Sequence, residues 1–134
     1  MPAATADTLN TLTSRIIEAA IDIHRTLGPG LFESAYLICL TRDLEDADFR
    51  IQTQHAIPLR YKNVNVERAY QADLVVEESV LVEVKAMEAL APIHDRQLDT
   101  YLRLGDYRVG LLLNFGADTM KAGIRRRVNR FPDR

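Results

Sequence analysis

The sequence has a single cysteine, no long apolar run and no excess of basic charge. Cys39 cannot form an intramolecular disulfide or hold an iron–sulfur cluster, and its apolar helical surroundings are typical of a core cysteine. The histidines at positions 24, 55 and 94 lack zinc-ligand spacing. No apolar stretch approaches the roughly 20 residues that a bilayer-spanning helix needs, and the start of the chain lacks the features of a secretory signal. We therefore expect a cytoplasmic protein that does not span a membrane.

The net charge of −2 argues against a strong non-specific grip on nucleic acid, because such binding depends on many Lys and Arg contacts to phosphate. Charge is nevertheless uneven along the chain. The segment 121–134 carries six basic residues and one acid. It is either a phosphate-facing patch or a solvated basic tail.

The 134 residues, 47% hydrophobic and 27% charged, suit one globular domain. We expect a flexible N-terminal tail over residues 1–10. Helical periodicity predicts helices over 12–27 and 31–46, separated by Gly28-Pro29-Gly30. Three strands are predicted over 54–61, 64–76 and 80–86, followed by a helix over 92–104 and a buried strand over 108–115. This order indicates an α/β fold in which an antiparallel meander is extended by a crossover strand into a mixed central sheet.

The most informative stretch runs from Asp73 to Lys85. The only polar break in it, Glu77-Glu78-Ser79, predicts a turn of two or three residues, which brings Asp73 and Glu83 to nearly the same height on adjacent strands. Glu83 and Lys85 share one face of their strand. Two carboxylates and a lysine in buried strands are typical of an Mg²⁺ site for phosphodiester hydrolysis. The alternative is an ordinary Glu83–Lys85 ion pair on a solvent face.

A second polar stripe lies on the next helix. His94, Gln97 and Tyr101 recur at i, i+3 and i+7 and share one helix face. Gln97 and Tyr101 could each hydrogen-bond a water, a phosphate or a base in the site. The alternative is that Tyr101 packs in the core while His94 and Gln97 cap the helix or face solvent.

An Asp, a Glu-x-Lys on the next strand and a Gln on the following helix together resemble the core of the PD-(D/E)XK nuclease superfamily. Gly30-Leu-Phe-Glu33-Ser-Ala-Tyr36 resembles the signature of the bacterial GxxExxY family. Other blocks resemble that family too: Leu27-Gly28-Pro29-Gly30, Ala72-Asp73-Leu74, Ile93-His94, Tyr101-Leu102 and Asn114-Phe115-Gly116. Ala72 departs from the proline in the superfamily name, at a position that is not a ligand.

The resemblance implies a restriction-endonuclease-like core of helix, three-stranded antiparallel meander, helix and strand, here with an extra N-terminal helix. It also implies roles for residues. Asp73 and Glu83 would bind Mg²⁺ or Mn²⁺, and Glu33 would complete the metal shell. Lys85 would assist the attacking water, with Gln97 as a further helical site residue. For Glu33 the alternative is structural, because the helix dipole favours an acid in a first turn.

Two functions remain open on this basis. The first is a metal-dependent nuclease that hydrolyses phosphodiester bonds of DNA or RNA. A homodimer would suit it, since cutting both strands of a duplex takes two active sites. The second is a non-catalytic nucleic-acid-binding or protein-interaction module that keeps the nuclease fold. Retention of both strand acids and the lysine favours the enzyme, because a binding module has no need to bury like charges together.

Overall fold

A five-stranded mixed sheet forms the centre of the computed structural model, which describes residues 4–133. The strand order is β1-β2-β3-β4-β5, with β3 and β4 parallel and every other neighbouring pair antiparallel. The elements are α1 (Ala6–Leu27), α2 (Glu33–Asp46), β1 (Ile51–Tyr61), β2 (Val64–Val76), β3 (Val80–Lys85), α3 (Pro92–Gly105), β4 (Val109–Asn114) and β5 (Ile124–Val128). The predicted α/β fold is confirmed, and its mixed sheet and three helices are consistent with a restriction-endonuclease-like architecture.

Helices cover both faces of the sheet, so β3 and β4 are almost completely buried. Val82 and Val84 pack in a cluster with α1 and α2. Leu81 packs in a second cluster with Leu98 and Leu102 of α3. Because side chains alternate along a strand, the remaining odd-numbered residues of β3 also point towards α3. Glu83 and Lys85 therefore lie on the face of the sheet that α3 covers.

Gly110 in β4 lets α3 lie close to the sheet. A Cβ atom at this position would be 2.9 Å from Leu98 Cδ1 and 3.0 Å from Leu102 Cδ2. Any larger residue would therefore displace the Leu98 and Leu102 side chains of α3. The glycine allows α3 to pack closely on the sheet beside Leu81.

Tyr36 explains much of the Gly30–Tyr36 motif in structural terms. Its hydroxyl donates to the Gly28 carbonyl at 2.5 Å and accepts from the Leu31 amide at 3.1 Å. Its ring stacks on Phe115, with centroids 4.5 Å apart. Gly28 and Gly30 have φ angles of 69° and 114° in the connection between the helices, a region that favours glycine. The tyrosine therefore ties the α1–α2 connection to the end of β4.

The N-terminal segment differs from the expectation. Helix α1 begins at Ala6, so residues 6–10 of the predicted flexible tail are helical, and Leu9 is buried. The Thr5 hydroxyl accepts from the Thr8 amide and caps the helix. Four polar residues among the first turns, Asp7, Thr8, Asn10 and Thr11, weaken the apolar periodicity there. Residues 1–3 lie outside the described part of the chain.

The basic segment also differs from a solvated tail. Residues 124–128 form β5, which pairs antiparallel with β4 from Ile124 opposite Leu113 to Val128 opposite Val109. Its sequence, Ile-Arg-Arg-Arg-Val, has no apolar alternation that would have indicated a strand. Arg134 lies outside the described residues.

Two single residues lie in or beside the core. His24 is buried and its Nε2 lies 2.8 Å from the Ala117 carbonyl oxygen, so this ring nitrogen has a hydrogen-bond partner. Cys39 is half-buried and packs against the α1–α2 cluster. Within residues 4–133, no helix combines the length and apolar character needed to cross a bilayer.

Candidate active site

Four of the six predicted site residues line a small cleft between β3 and α3, namely Glu83, Lys85, Gln97 and Tyr101. Glu83 is only 7% exposed, and Lys85 is half-buried two residues further along the same face of β3. The cleft has a volume of about 10 Å³, enough for roughly one water molecule. Its walls include three residues of the predicted helical stripe, His94, Gln97 and Tyr101.

Asp73 lies beside Glu83 at the junction of β2 and β3. The last recorded pair of that ladder is Leu74 with Val82, and Val76 pairs with Val80 across a three-residue loop. Continuing this register by one residue sets Asp73 opposite Glu83. Asp73 Oδ2 accepts a hydrogen bond from the Val84 amide at 2.8 Å. The three-residue loop is thus the correct choice of the two predicted registers.

The electrostatics of Glu83 are unusual. Burial raises the pKa of its carboxyl group to about 9, the Asp73 carboxylate adds to the rise, and the Lys85 ammonium opposes it. Glu83 Oε1 is buried and has no hydrogen-bond partner among the described residues. Two adjacent carboxyl groups, one with an oxygen that has no partner, supply the oxygen ligands that a hard divalent cation prefers once it displaces the Glu83 proton. The residues therefore fit such a cation.

A backbone irregularity in β1 faces Asp73, and the sequence did not reveal it. The β1–β2 ladder pairs Thr53 with Leu74 and His55 with Ala72, but it records no pair between Gln54 and Asp73. Gln54 has a φ angle of 50°, which is uncommon for a residue with a side chain. Strained residues of this kind concentrate at functional sites. The β1–β2 pairing is thus interrupted at Asp73, the residue whose carboxylate hydrogen-bonds the Val84 amide of β3.

Tyr101, which lines the cleft, has a second tyrosine beside it. The Tyr101 ring lies 5.2 Å from that of Tyr70, which projects from β2 and is 40% exposed. Burial raises the pKa of the Tyr101 hydroxyl, and the charges of Glu83, Tyr70 and Asp73 raise it further. Tyr101 therefore remains a hydrogen-bond donor at neutral pH. No sequence signal singled out Tyr70.

His94 has a structural task at the start of α3. Its Nδ1 accepts a hydrogen bond from the Ala91 amide at 2.9 Å, which satisfies a free donor at the helix N-terminus. The capping alternative is therefore correct for this histidine, although its ring also lines the cleft. Gln97 is exposed one turn further on.

Asn114 holds the segment that leads from β3 to α3. Its side chain is buried, where Oδ1 accepts from the Met87 and Gly116 amides and Nδ2 donates to the Met87 carbonyl. The Phe115 amide donates to the Lys85 carbonyl at 2.8 Å. These bonds fix the backbone at Lys85. The Asn114 block, noted in the sequence only as a resemblance, thus has a physical role.

Glu33 is not brought into this group. It is exposed in the first turn of α2, whose buried residues pack on the opposite face of the sheet from Glu83. Within residues 4–133, no three His, Cys, Asp or Glu side chains converge closely enough to hold a metal ion. Glu83 in the cleft and Asp73 beside it form a pair of acids and not the predicted set of three.

A family model described as the PD-(D/E)XK nuclease superfamily matches residues 10–127. The chain belongs to this superfamily. The match runs from α1 into β5 and includes every residue of the cleft. The closer likeness to GxxExxY proteins remains a prediction. No curated protein and no solved structure matched the chain.

Membership in the PD-(D/E)XK superfamily agrees with the geometry of the cleft. The superfamily indicates a nuclease that acts on nucleic acid, and its nucleases generally use divalent metals. Asp73 and Glu83-Val-Lys85 have the residue types and order of the acid and the Glu-x-Lys in the superfamily name, and their assignment to these positions stays a prediction. The buried position of Glu83 distinguishes this arrangement from an ion pair on a solvent face.

Proposed function

We propose that this protein hydrolyses phosphodiester bonds of DNA or RNA with the help of Mg²⁺ or Mn²⁺ held by Asp73 and Glu83. The observation that carries the proposal is the buried Glu83 Oε1 atom, which lacks a partner and lies beside the Asp73 carboxylate. With a pKa of about 9, the Glu83 carboxyl group holds a proton at neutral pH unless a cation binds in its place. A strongly shifted carboxyl group beside a second acid and a lysine is a mark of a functional site.

A bound divalent cation would supply two effects here, a lower pKa of the attacking water and an offset for negative charge on the phosphate. Asp73 would hold its carboxylate in place through the Val84 amide. Glu83 would contribute its unpaired oxygen from the buried face of β3.

Lys85 would act on the reacting groups from the same face. Its ammonium is close enough to Glu83 to lower that group's pKa against the effect of burial. From there it can orient the attacking water or stabilise charge on a phosphate oxygen. Gln97 and Tyr101 would donate hydrogen bonds to the substrate from the α3 side of the cleft.

The role of Glu33 as a third metal ligand stays a prediction. In its favour, Tyr36 on the next turn of α2 stacks on Phe115, directly after β4. The first turn of α2, which carries Glu33, therefore lies near the edge of the sheet at which the parallel strands β3 and β4 both end.

The homodimer also stays a prediction, since only one chain is described.

The small size of the cleft favours one alternative, a binding module that keeps the fold without catalysis. About 10 Å³ between β3 and α3 leaves no room for a phosphate group unless the α3 side chains move. Such a module would bind nucleic acid or a protein and would not depend on Lys85.

The test is cleavage of labelled single-stranded and duplex DNA and RNA in the presence of Mn²⁺. Wild type and Lys85→Ala are purified in parallel, so that a contaminating nuclease appears equally in both. We expect wild type to cleave at least one substrate and the variant to lose at least a hundredfold in rate, within the range of electrostatic and acid–base contributions. Equal cleavage by both proteins, or none by either, would overturn the proposal.

A further inference from the structure

A second cavity lies on the other flank of α3 from the active-site cleft. It has a volume of about 830 Å³ and opens between α3 and β5. We call it the arginine groove. The side chains that matter in its wall are Arg96, Asp99, Thr100, Arg103 and Arg127.

The arginine groove concentrates positive charge in a protein whose net charge is −2. Three arginine side chains and one carboxylate face it, those of Arg96, Arg103, Arg127 and Asp99. Asp99 neutralises Arg127 through two hydrogen bonds of 2.9 and 2.7 Å. Arg126 borders the groove, but its guanidinium donates to Asn10 of α1 and lies over the Phe131 ring on the other face of the sheet. Arg96 and Arg103 therefore give the groove its excess positive charge. The groove therefore favours an anionic occupant.

Arg96 and Arg103 are the free cations of the groove. Both are exposed, and neither belongs to any ion pair between residues 4 and 133. Seven residues separate them, which is a rise of about 10 Å along α3. That distance is roughly the axial length of three nucleotides in one strand of B-form DNA. Thr100 lies between them and accepts from Arg103 Nη2.

The groove and the cleft share one helix. Arg96 is followed directly by Gln97, which lines the cleft, and Tyr101 follows Thr100 in the same way. A linear ligand that crosses α3 from the groove to the cleft would span about one helix diameter, roughly 10–12 Å. An anion that is long enough to reach both must be a polymer.

We propose that the arginine groove binds the sugar–phosphate backbone of the nucleic-acid strand whose scissile bond lies in the cleft, with Arg96 and Arg103 on phosphates about three nucleotides apart. This rests on the proposed function. A guanidinium matches phosphate oxygens with two parallel hydrogen bonds. An acidic peptide is the competing occupant, but it has no use for a neighbouring site with a divalent-metal donor set.

The test is binding of fluorescein-labelled single-stranded DNA, single-stranded RNA and duplex DNA, followed by anisotropy in EDTA. The variant Arg96→Ala/Arg103→Ala is compared with Arg25→Ala/Arg42→Ala, which removes the same charge from exposed positions in α1 and α2. We expect the groove variant to bind about tenfold or more weakly. Its log–log salt slope should fall by about 1.4 for single strands and about 1.8 for duplex. The control should stay within about twofold of wild type.

The outcomes separate this proposal from the proposed function. Loss of binding in the groove variant supports the groove even if wild type never cleaves, in which case the catalytic proposal alone fails. Equal binding by the groove variant and the control overturns the groove, whether or not the protein cleaves. Failure of wild type to bind any oligonucleotide at about 50 mM salt overturns it as well. The proposal is also overturned if a poly-glutamate peptide binds wild type more tightly than the oligonucleotides do and if this binding depends on Arg96 and Arg103.

Discussion

The Asp73 carboxylate accepts a hydrogen bond from the backbone amide of Val84 across the β2–β3 ladder, at 2.8 Å. Asp73 is thus both a neighbouring charge for Glu83 and the partner of a half-buried backbone donor. Replacing it with alanine would remove the charge and also leave the amide unsatisfied, which costs about 1–3 kcal/mol. Asparagine keeps an acceptor oxygen at the same place. Asp73→Asn is therefore the cleaner probe of metal binding.

Metal binding should stabilise the folded protein through the carboxylate pair. At 100 times Kd, a ligand that binds only the folded state adds about 2.7 kcal/mol, roughly 5–10 °C in Tm for a chain of this size. We expect wild type to show this rise with Mn²⁺ over EDTA in thermal unfolding, and Asp73→Asn and Glu83→Gln to lose it.

Glu33→Gln is a third variant for the same thermal unfolding experiment with Mn²⁺ and EDTA. Because Glu33 lies outside the pair, the variant should keep most of the Mn²⁺-induced rise in Tm. Loss of the rise in this variant as well would restore the predicted set of three ligands. A full rise in Asp73→Asn would remove Asp73 from the metal site.

The ion pair between Asp99 and Arg127 should make stability depend on acid pH. Hydrogen bonds from Arg127 lower the pKa of the Asp99 carboxyl group below its ordinary value. A carboxyl whose pKa is lowered in the folded state stabilises above its unfolded pKa of about 3.9, and that stabilisation is lost as pH falls through the folded value. Both side chains are partly exposed, so the effect is at most about 1 kcal/mol.

Urea unfolding of wild type and Asp99→Asn measures that contribution. We expect wild type to be more stable at pH 7 in low salt, with the difference shrinking at 1 M NaCl and closing as pH falls below about 3. A difference that stays constant over this range would mean that the pair contributes through packing and not through charge.

Tyr70 should position the substrate beside the cleft. Its ring is 40% exposed and lies 5.2 Å from Tyr101, so an unstacked base could rest on it. Stacking on an aromatic ring is worth about 1–3 kcal/mol per base. For Tyr70→Ala we expect KM for a single-stranded substrate to rise about tenfold, with kcat within about twofold. Tyr70→Phe should behave as wild type, and a fall in kcat alone would contradict a role in binding.

Tyr36 should contribute to stability and not to metal binding. Tyr36→Phe keeps the stack on Phe115 but leaves the Gly28 carbonyl and the Leu31 amide without their partner. We expect a loss of about 1–3 kcal/mol in urea unfolding, with the Mn²⁺-induced rise in Tm unchanged. A lost metal response with unchanged stability would instead connect Tyr36 to the cleft.

Much of the cleft could be predicted because its geometry is local. A three-residue break between two apolar runs sets the register of β2 against β3, and the two-residue period of a strand puts Glu83 and Lys85 on one face. Pro92 marks the start of α3, which carries Gln97 and Tyr101. Turn position, strand period and helix start depend on neighbours in sequence, so residue order alone determined them, except for the choice between a two- and a three-residue turn, which the structure decided.

Tertiary structure decided what depends on distant segments. The strand character of 124–128 comes from pairing with β4, because three consecutive arginines carry no strand period of their own. The burial of Glu83 requires α3 on one side and Asp73 of β2 on the other, while the exposure of Glu33 follows from how α2 packs. The arginine groove joins residues 96 and 127 across α3 and β5. Burial and charge clustering are sums over non-local neighbours, and only the folded chain brings those neighbours together.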